Sequence, residues 1–449
     1  MQAKPTVKDQ ENLFKSRLDQ ILDIKHPLFV LAGKIDWKYF ENEFGEYYSE
    51  GRGRPALPIR LMVGIHYLKS AYHVSDERVV EAFLENPYWQ YFLGFEYFQH
   101  TFPLDPTSLV RWRQRIGSKG MELLLKEMIS TPVRMDLLKP SDMHRVTVDT
   151  TVQEKAVAFP TDGRLYQHGR ELLVEKAKAD GIALRQPYSR LGKRAAIMQG
   201  RYIRANQYHR ARREEKKLKN YLGRVMRDIE RKLTQEQLPG WEELLSKCHR
   251  VYEQQRKDKD KLYSFHAPEV ECIGKGKSHK KYEFGNKVSV VSTTRDNWVL
   301  GIQGLHDNPY DGHTLAGAIT QAERLSDRLI DTIFVDRGYR GNDYAGDAEV
   351  HLAGKKGISR SLKRWIKRRN AIEPIIGHLK SDHGLGRNYL AGVEGDRINA
   401  ILAGCGFNFR KVLRAILFVP NFIQAKITEI WQRIKIIDSL EQYSVAATA

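Results

Sequence analysis

Three acidic residues stand where a carboxylate is locally unfavourable. Asp149 lies in the β-branched run Val146 to Val152, which reads as a strand. Asp336 ends the apolar segment Thr332-Ile333-Phe334-Val335, and open α/β sheets bind ligands outside the carboxyl ends of their strands. Glu373 falls in a basic helix, among positive neighbours. Three acids from separate elements can hold two Mg²⁺ ions, or Mn²⁺, about 3.5–4 Å apart. One ion then helps to generate an attacking oxygen nucleophile and the other stabilises the leaving oxygen. Hard carboxylate oxygens match those ions. The three cysteines, Cys248, Cys272 and Cys405, are scattered and lack the paired spacing of a zinc or dithiol site.

The helix around Glu373 adds cations at a useful spacing. At about 100° per residue, Glu373 and Lys380 lie about 40° and 20° around the helix from Arg369, so all three share one face. A carboxylate flanked by two cations suits a metal ligand whose neighbours hold phosphate oxygens. Each acid also has an ordinary reading. A strand-end Asp caps turns, Arg369–Glu373 is a common i,i+4 pair, and Asp311 can cap the helix that follows it. His306 and His313, which flank the Asn308-Pro309-Tyr310-Asp311-Gly312 turn, read as surface or helix-start residues.

These residues need a scaffold, and the hydrophobic period supplies one. Residues 1–140 read as a helical unit. After the Gly-Arg-Gly-Arg-Pro turn at 51–55, Ile59, Leu61, Met62, Ile65 and Leu68 recur at helical spacing up to Tyr72. Ser75 precedes a further helix with Asp76 and Glu77 in its first turn. A helix opened by Asp105-Pro106 puts Leu109, Trp112 and Ile116 on one side and Arg111, Arg113 and Arg115 elsewhere. Such helices fit a DNA-reading helix-turn-helix, and equally a dimerising or structural bundle. Residues 141–160 and 280–415 form the chemical core: a strand at 145–152, a hairpin over 283–305, a helix at 312–325, the strand ending at Asp336, a weak strand near 350–352 and a long basic helix over 363–382. The expected fold is an α/β mixed sheet with flanking helices. Residues 161–279 read as a basic insertion of two or three helices, with an apolar stripe at Leu218, Tyr221, Leu222, Val225, Ile229 and Leu233; its basic face suits solvent or, alternatively, contact with DNA. Residues 416–449 read as a tail.

With the elements in place, Asp336-Arg337-Gly338-Tyr339 and the Arg369, Glu373, Lys380 spacing resemble signatures of the DDE transposases of bacterial insertion sequences. They are most similar to the large group typified by insertion sequence five. The stretches 147–162 and 308–315 resemble that group's first-aspartate region and the segment before its second aspartate. LPIRLMVGIHYL and SLVRWRQRIG resemble the helical domain that commonly comes first. The resemblance implies a ribonuclease H-like catalytic fold, preceded by an α-helical domain and carrying the helical insertion after its first strand. It implies Asp149, Asp336 and Glu373 as catalytic metal ligands, two Mg²⁺ ions, recognition of terminal inverted repeats and target DNA, and a homodimer or higher multimer on DNA. Arg369 and Lys380 would contact phosphates near the cut, with Arg337 beside them, and Tyr339 would pack against or stack on a distorted base. Arg111 and Arg113 would contribute DNA contacts from the first domain. One departure is Ile366, where relatives carry a tyrosine three residues before the arginine; Trp365 is adjacent. The gap between Asp336 and Glu373 is also too short for the β-rich insertion of some relatives.

Composition agrees with a polyanionic partner. Lys and Arg total 74 against 55 Asp and Glu, a formal net charge of +19, which draws nucleic acid to the surface. No apolar segment suits a signal peptide or a membrane span, so a soluble, cytoplasmic, nucleoid-associated protein is expected. Two other functions share these features: a two-metal, structure-selective endonuclease, and a DNA-binding relative without catalysis.

Overall fold

The computed structural model describes residues 15–48, 56–274, 280–354 and 357–418. The glycine-arginine turn at 51–55 and nearly all of the expected tail lie outside them. The first helices are α1 (Leu18–Ile21), α2 (Pro27–Ala32), α3 (Trp37–Phe44), α4 (Ile59–Tyr72), α5 (Arg78–Glu85), α6 (Pro87–Phe92) and α7 (Thr107–Arg134). Helix α4 is apolar on nearly every side, and Leu61 through Leu68 are all buried, as suits a helix enclosed by others. Helix α7 breaks at Gly117, whose φ of 66° lies in the region that favours glycine. Leu109, Trp112 and Ile116 are buried before the break, and Met121, Leu124 and Met128 after it.

Strand β1 (Arg145–Glu154) enters the sheet next. The insertion follows as α8 (Asp162–Ala179), α9 (Ser189–Arg204), α10 (Tyr208–Glu230) and α11 (Leu238–Glu253). It therefore has four helices where two or three were expected. The basic run after Arg201 is split at Asn206, which takes a φ of 56° between α9 and α10. Leu173, Leu218, Leu222, Val225, Ile229, Trp241 and Val251 form a core of the insertion's own. Tyr221 and Leu233 of the expected stripe stay half-buried.

The chain then forms β2 (Glu271–Gly274), β3 (Tyr282–Thr293), β4 (Val299–Leu305), α12 (Leu315–Ser326), β5 (Thr332–Val335), β6 (Glu349–Leu352), α13 (Arg360–Arg368) and α14 (Ile372–Asp382), and a last helix, α15, covers residues 392–418. Strand β2 had been assigned to the insertion and instead joins the sheet. The order is β2-β3-β1-β5-β6, with β4 also paired to β3. Strands β2, β3 and β4 run antiparallel to their partners, whereas β1, β5 and β6 are mutually parallel. The molecule is thus a mixed α/β sheet with many helices.

The exposed edge of β4 is satisfied by side chains. Gln321 of α12 brackets the peptide of Ile302, accepting at 2.8 Å and donating at 3.2 Å, and Asn408 of α15 does the same at Val299. Pairing amides of an edge strand in this way removes two of its sites for another chain. One continuous apolar core joins Leu61 and Leu124 of the first helices to Val290 and Ile302 of the sheet and Phe409 of α15. No described helix is long and apolar enough to cross a membrane.

The expected long helix over 363–382 is broken. Helix α13 ends at Arg368, a 3₁₀ turn covers Arg369–Ala371, and α14 starts at Ile372. Pro374 supplies the reason. It lacks an N–H and clashes with the carbonyl four residues earlier, so it is tolerated in the first turn of a helix and not in an interior.

Candidate active site

Strand β5 runs parallel to β1, with Ile333 opposite Val146 and Phe334 opposite Thr147. Carrying that register two residues further sets Asp336, just past the carboxyl end of β5, level with Asp149 in the middle of β1. Asp149 is mostly buried there. Its burial and the nearby charge of Asp336 push its carboxyl up to about 6, against the Thr150 N–H, which donates to Asp149 Oδ1 at 2.8 Å, and the Arg369 charge. Asp336 also performs its ordinary strand-end task. Its Oδ1 accepts from the Gly338 N–H at 2.8 Å and caps the short turn Arg337–Tyr339.

A third aspartate joins this pair, and it is not one of the expected triad. Asp311 Oδ1 accepts from Thr150 Oγ1 at 2.8 Å and from Lys287 Nζ at 3.0 Å, which ties the start of α12 to β1 and β3. A Cβ placed on Gly338 would lie 2.9 Å from Asp336 Oδ1 and 3.3 Å from Asp311 Oδ2. The bare glycine therefore leaves a gap lined by two carboxylates. Asp311 reads in the sequence as a helix cap. A signal pointing to it was the Asn308-to-Leu315 stretch, whose polar residues precede a helix packed on the sheet.

Glu373 and Arg369 approach from the other side. Arg369 Nη1 is 3.8 Å from Asp149 Oδ2, and its Nη2 is 3.8 Å from Glu373 Oε1. The arginine side chain is 11% exposed and the Glu373 side chain 69% exposed. Glu373 thus faces solvent beyond the guanidinium, and Lys380 lies half-buried in the last turn of α14. Trp365, next to the departure at Ile366, has the guanidinium carbons of Arg145 and Arg368 at 5.3 and 5.5 Å from its ring centroid. Arg337 is exposed, with its guanidinium against Gly354.

Two expected DNA contacts lie elsewhere. Tyr339 is fully buried and has no face free to stack on a base. Burial first, then the charges of Asp149 and Asp311, raise its hydroxyl well above the tyrosine range, so it borders the aspartates as a neutral phenol. Arg113 is buried within the first helices. Its two terminal nitrogens donate to Asp76 at 3.0 and 2.6 Å, and Lys69 pairs with the same carboxylate. Burial opposes the charge on Asp76, but Arg113 and Lys69 hold its carboxyl down to about 2. Asp76 is thus an internal ion-pair partner rather than a helix-end charge. Arg111 and Arg115 remain on the surface. His306, expected at the surface, lies between Glu271 at 3.5 Å and Asp396 at 3.4 Å.

The donor set can be weighed against a divalent metal. The charge of Asp336 is close enough to oppose the ionisation of Asp149, and a gap open to the oxygens of Asp336 and Asp311 lies beside Gly338; both features fit a hard cation. Glu373 does not close on them. Among the described residues no three Asp, Glu, His or Cys side chains converge on one position, and Arg369 stands between Asp149 and Glu373. The aspartates therefore fit a metal, whereas the glutamate would have to move past the arginine.

Comparison with known proteins adds lineage to this geometry. A family model described as a transposase domain (DUF772) matches residues 16–115, within the first helices. The uncharacterized protein ORF8 in the nfe locus of Rhizobium meliloti is 49% identical over 199 residues, which cover 44% of this chain and 96% of that protein. No solved structure matches the fold.

Proposed function

The chain belongs to a transposase family, and from that premise we propose that it is a DDE transposase of the group typified by insertion sequence five. It binds the terminal inverted repeats of its element, then cuts and rejoins DNA with Asp149, Asp336 and Glu373. The observation that carries this reading is the juxtaposition of Asp149, in the middle of β1, with Asp336, just past the end of β5, close enough for the charge of Asp336 to oppose that of Asp149. The strand senses also support a ribonuclease H-like reading: antiparallel partners on one side of β1, parallel ones on the other.

In this reading Asp149 and Asp336 would hold Mg²⁺ with hard oxygen ligands, and Glu373 would complete the set if Arg369 turned away from it. The bound ions supply Lewis-acid stabilisation of the oxygens around phosphorus. The chain's own residues do the positioning. Thr150 and Gly338 fix the two aspartates through backbone N–H donors. Arg369 turns its planar donors from the carboxylates to a phosphate oxygen, and Lys380 adds a second positive charge on the same helix. Buried Tyr339 borders the aspartates as a neutral phenol.

The test is Mg²⁺-dependent cleavage of DNA carrying the ends of the element. Asp149→Asn, Asp336→Asn and Glu373→Gln should each reduce cleavage at least a hundredfold, roughly the loss typical of a missing electrostatic stabiliser, while end binding persists. Joining of the cut end to a target separates a transposase from an endonuclease of similar fold. Cleavage by Asp149→Asn at the wild-type rate would overturn the reading.

A further inference from the structure

Helix α10 carries a row of cations that the active site does not use. Arg213, Lys216, Arg224, Arg227 and Arg231 fall within about 80° of one another around the helix axis and are all exposed. From first to last the row is about 27 Å long at 1.5 Å per residue. Among the described residues no carboxylate approaches within 4 Å of the first four; Arg231 has Asp228 at 3.6 Å, and Arg224 also donates to the Tyr188 hydroxyl at 3.2 Å. The acids of α10 face other partners. Glu214 pairs with Lys217, Glu215 accepts from Gln199, Asp228 holds Lys232, and Glu230 meets His249.

An ordinary surface helix intersperses its charges, because like charges three or four residues apart repel. Here Arg213–Lys216, Arg224–Arg227 and Arg227–Arg231 are such pairs, and among the described residues only Arg231 has a carboxylate partner, Asp228. A polyanion would neutralise the rest. The opposite face of α10 is sealed in the insertion's own core through Leu218, Leu222, Val225 and Ile229, so it has no apolar surface to offer a membrane. A straight cationic row of this length lies alongside most of one turn of duplex DNA, whose turn is about 34 Å.

We propose that the exposed face of α10 is a second DNA-binding surface, a sequence-independent clamp on the phosphate backbone, separate from the aspartate site. The inference rests on the transposase reading for its partner class and assigns the inserted helices a task. Phosphate contacts of this kind set the salt dependence of binding and carry no base information.

The experiment is a salt titration of duplex DNA binding by the full chain. Wild type is compared with the triple variant Arg213→Ala, Arg224→Ala, Arg227→Ala, and with a control triple, Lys178→Ala, Lys257→Ala, Lys259→Ala, which removes equal charge from exposed positions elsewhere in the insertion. The α10 variant should lower the slope of log affinity against log salt by about 2.7, or 0.9 per lost phosphate, equally on element ends and unrelated DNA. The control should keep the wild-type slope. Thermal melts establish that both variants fold, and Arg213→Glu with Arg227→Glu serves if the triple does not. An unchanged slope, an equal fall in the control, or tighter binding to double-stranded RNA of the same length would each overturn the proposal. Asp149→Asn separates the two readings: it should lose cleavage and keep the slope. If wild type binds no DNA, both readings fall. If it binds and cuts while the α10 variant matches it, only the clamp falls.

Discussion

Arg369 bridges Asp149 and Glu373, lying 3.8 Å from a carboxylate oxygen of each. Its guanidinium lies between the two carboxylates that the proposed function makes metal ligands, so on that reading it competes with a cation for the same charges. Arg369→Gln is expected to raise Mn²⁺ affinity about tenfold, equivalent to about 1.4 kcal/mol, and to lower DNA cleavage at least tenfold through loss of the proposed phosphate contact. Manganese binding followed by electron paramagnetic resonance, beside a cleavage assay, reads both. Weaker Mn²⁺ binding in the variant would show that the arginine assists the metal instead.

Gly338 keeps the gap between Asp336 and Asp311 open. In Gly338→Ala the new methyl would sit 2.9 Å from Asp336 Oδ1 and 3.3 Å from Asp311 Oδ2, tight enough to displace one of them. Cleavage should fall by more than tenfold while the melting temperature moves by only a few degrees, about what 1 kcal/mol produces in a domain of this size. Full activity in Gly338→Ala would remove the gap from the mechanism. Asp311→Asn extends the test. It keeps the shape and removes one negative charge, so divalent affinity should fall without loss of fold.

Much of this framework was legible because it is local. Alternation and a polar turn marked β3 and β4, and Asn297 at the bend takes a φ of 59°, which asparagine tolerates. The apolar run before Asp336 marked β5. What stayed hidden depends on long-range contacts. Asp311 looked like a cap because Thr150, its partner, lies 161 residues earlier. Arg113 looked like a surface cation because Asp76, which neutralises it, lies 37 residues away in the turn before α5. Tyr339 follows an exposed arginine and a glycine, and only the packing of the sheet buries it. The break before Ile372 was written in Pro374, and a helix drawn through that proline ignored its missing N–H.

The buried pair Arg113–Asp76 makes a stability prediction that contrasts two arginines two residues apart. Arg113→Ala leaves Asp76 enclosed with Lys69 alone and should cost about 3 kcal/mol, the scale of breaking a buried pair from one side. Arg111→Ala removes an exposed side chain and should change stability by no more than about 0.5 kcal/mol. Urea denaturation followed by far-ultraviolet circular dichroism compares them. Equal effects would mean that Arg113 is not the structural member of the two.

Asp149 gives the metal-free protein a specific pH dependence. Its folded carboxyl sits at about 6, above the ordinary 3.8, so between those values the native state holds a proton that the unfolded chain has released. Stability from this group is therefore fully present below about pH 4, falls as pH rises, and is gone above about pH 6. The difference is about 3 kcal/mol at 1.36 kcal/mol per unit. His66 acts in the opposite direction. Burial lowers it to about 3, so it costs stability as pH falls from about 6.5 towards 3. The comparison must therefore be made between wild type and Asp149→Asn, which share His66. In EDTA the asparagine variant should gain on wild type from pH 4 to pH 6.5, and added Mg²⁺ should restore wild type alone, because a bound cation favours the ionised carboxylate. Parallel pH profiles in EDTA would mean that the Asp149–Asp336 repulsion is relieved without a metal, and would weaken the case for the aspartate pair as a cation site.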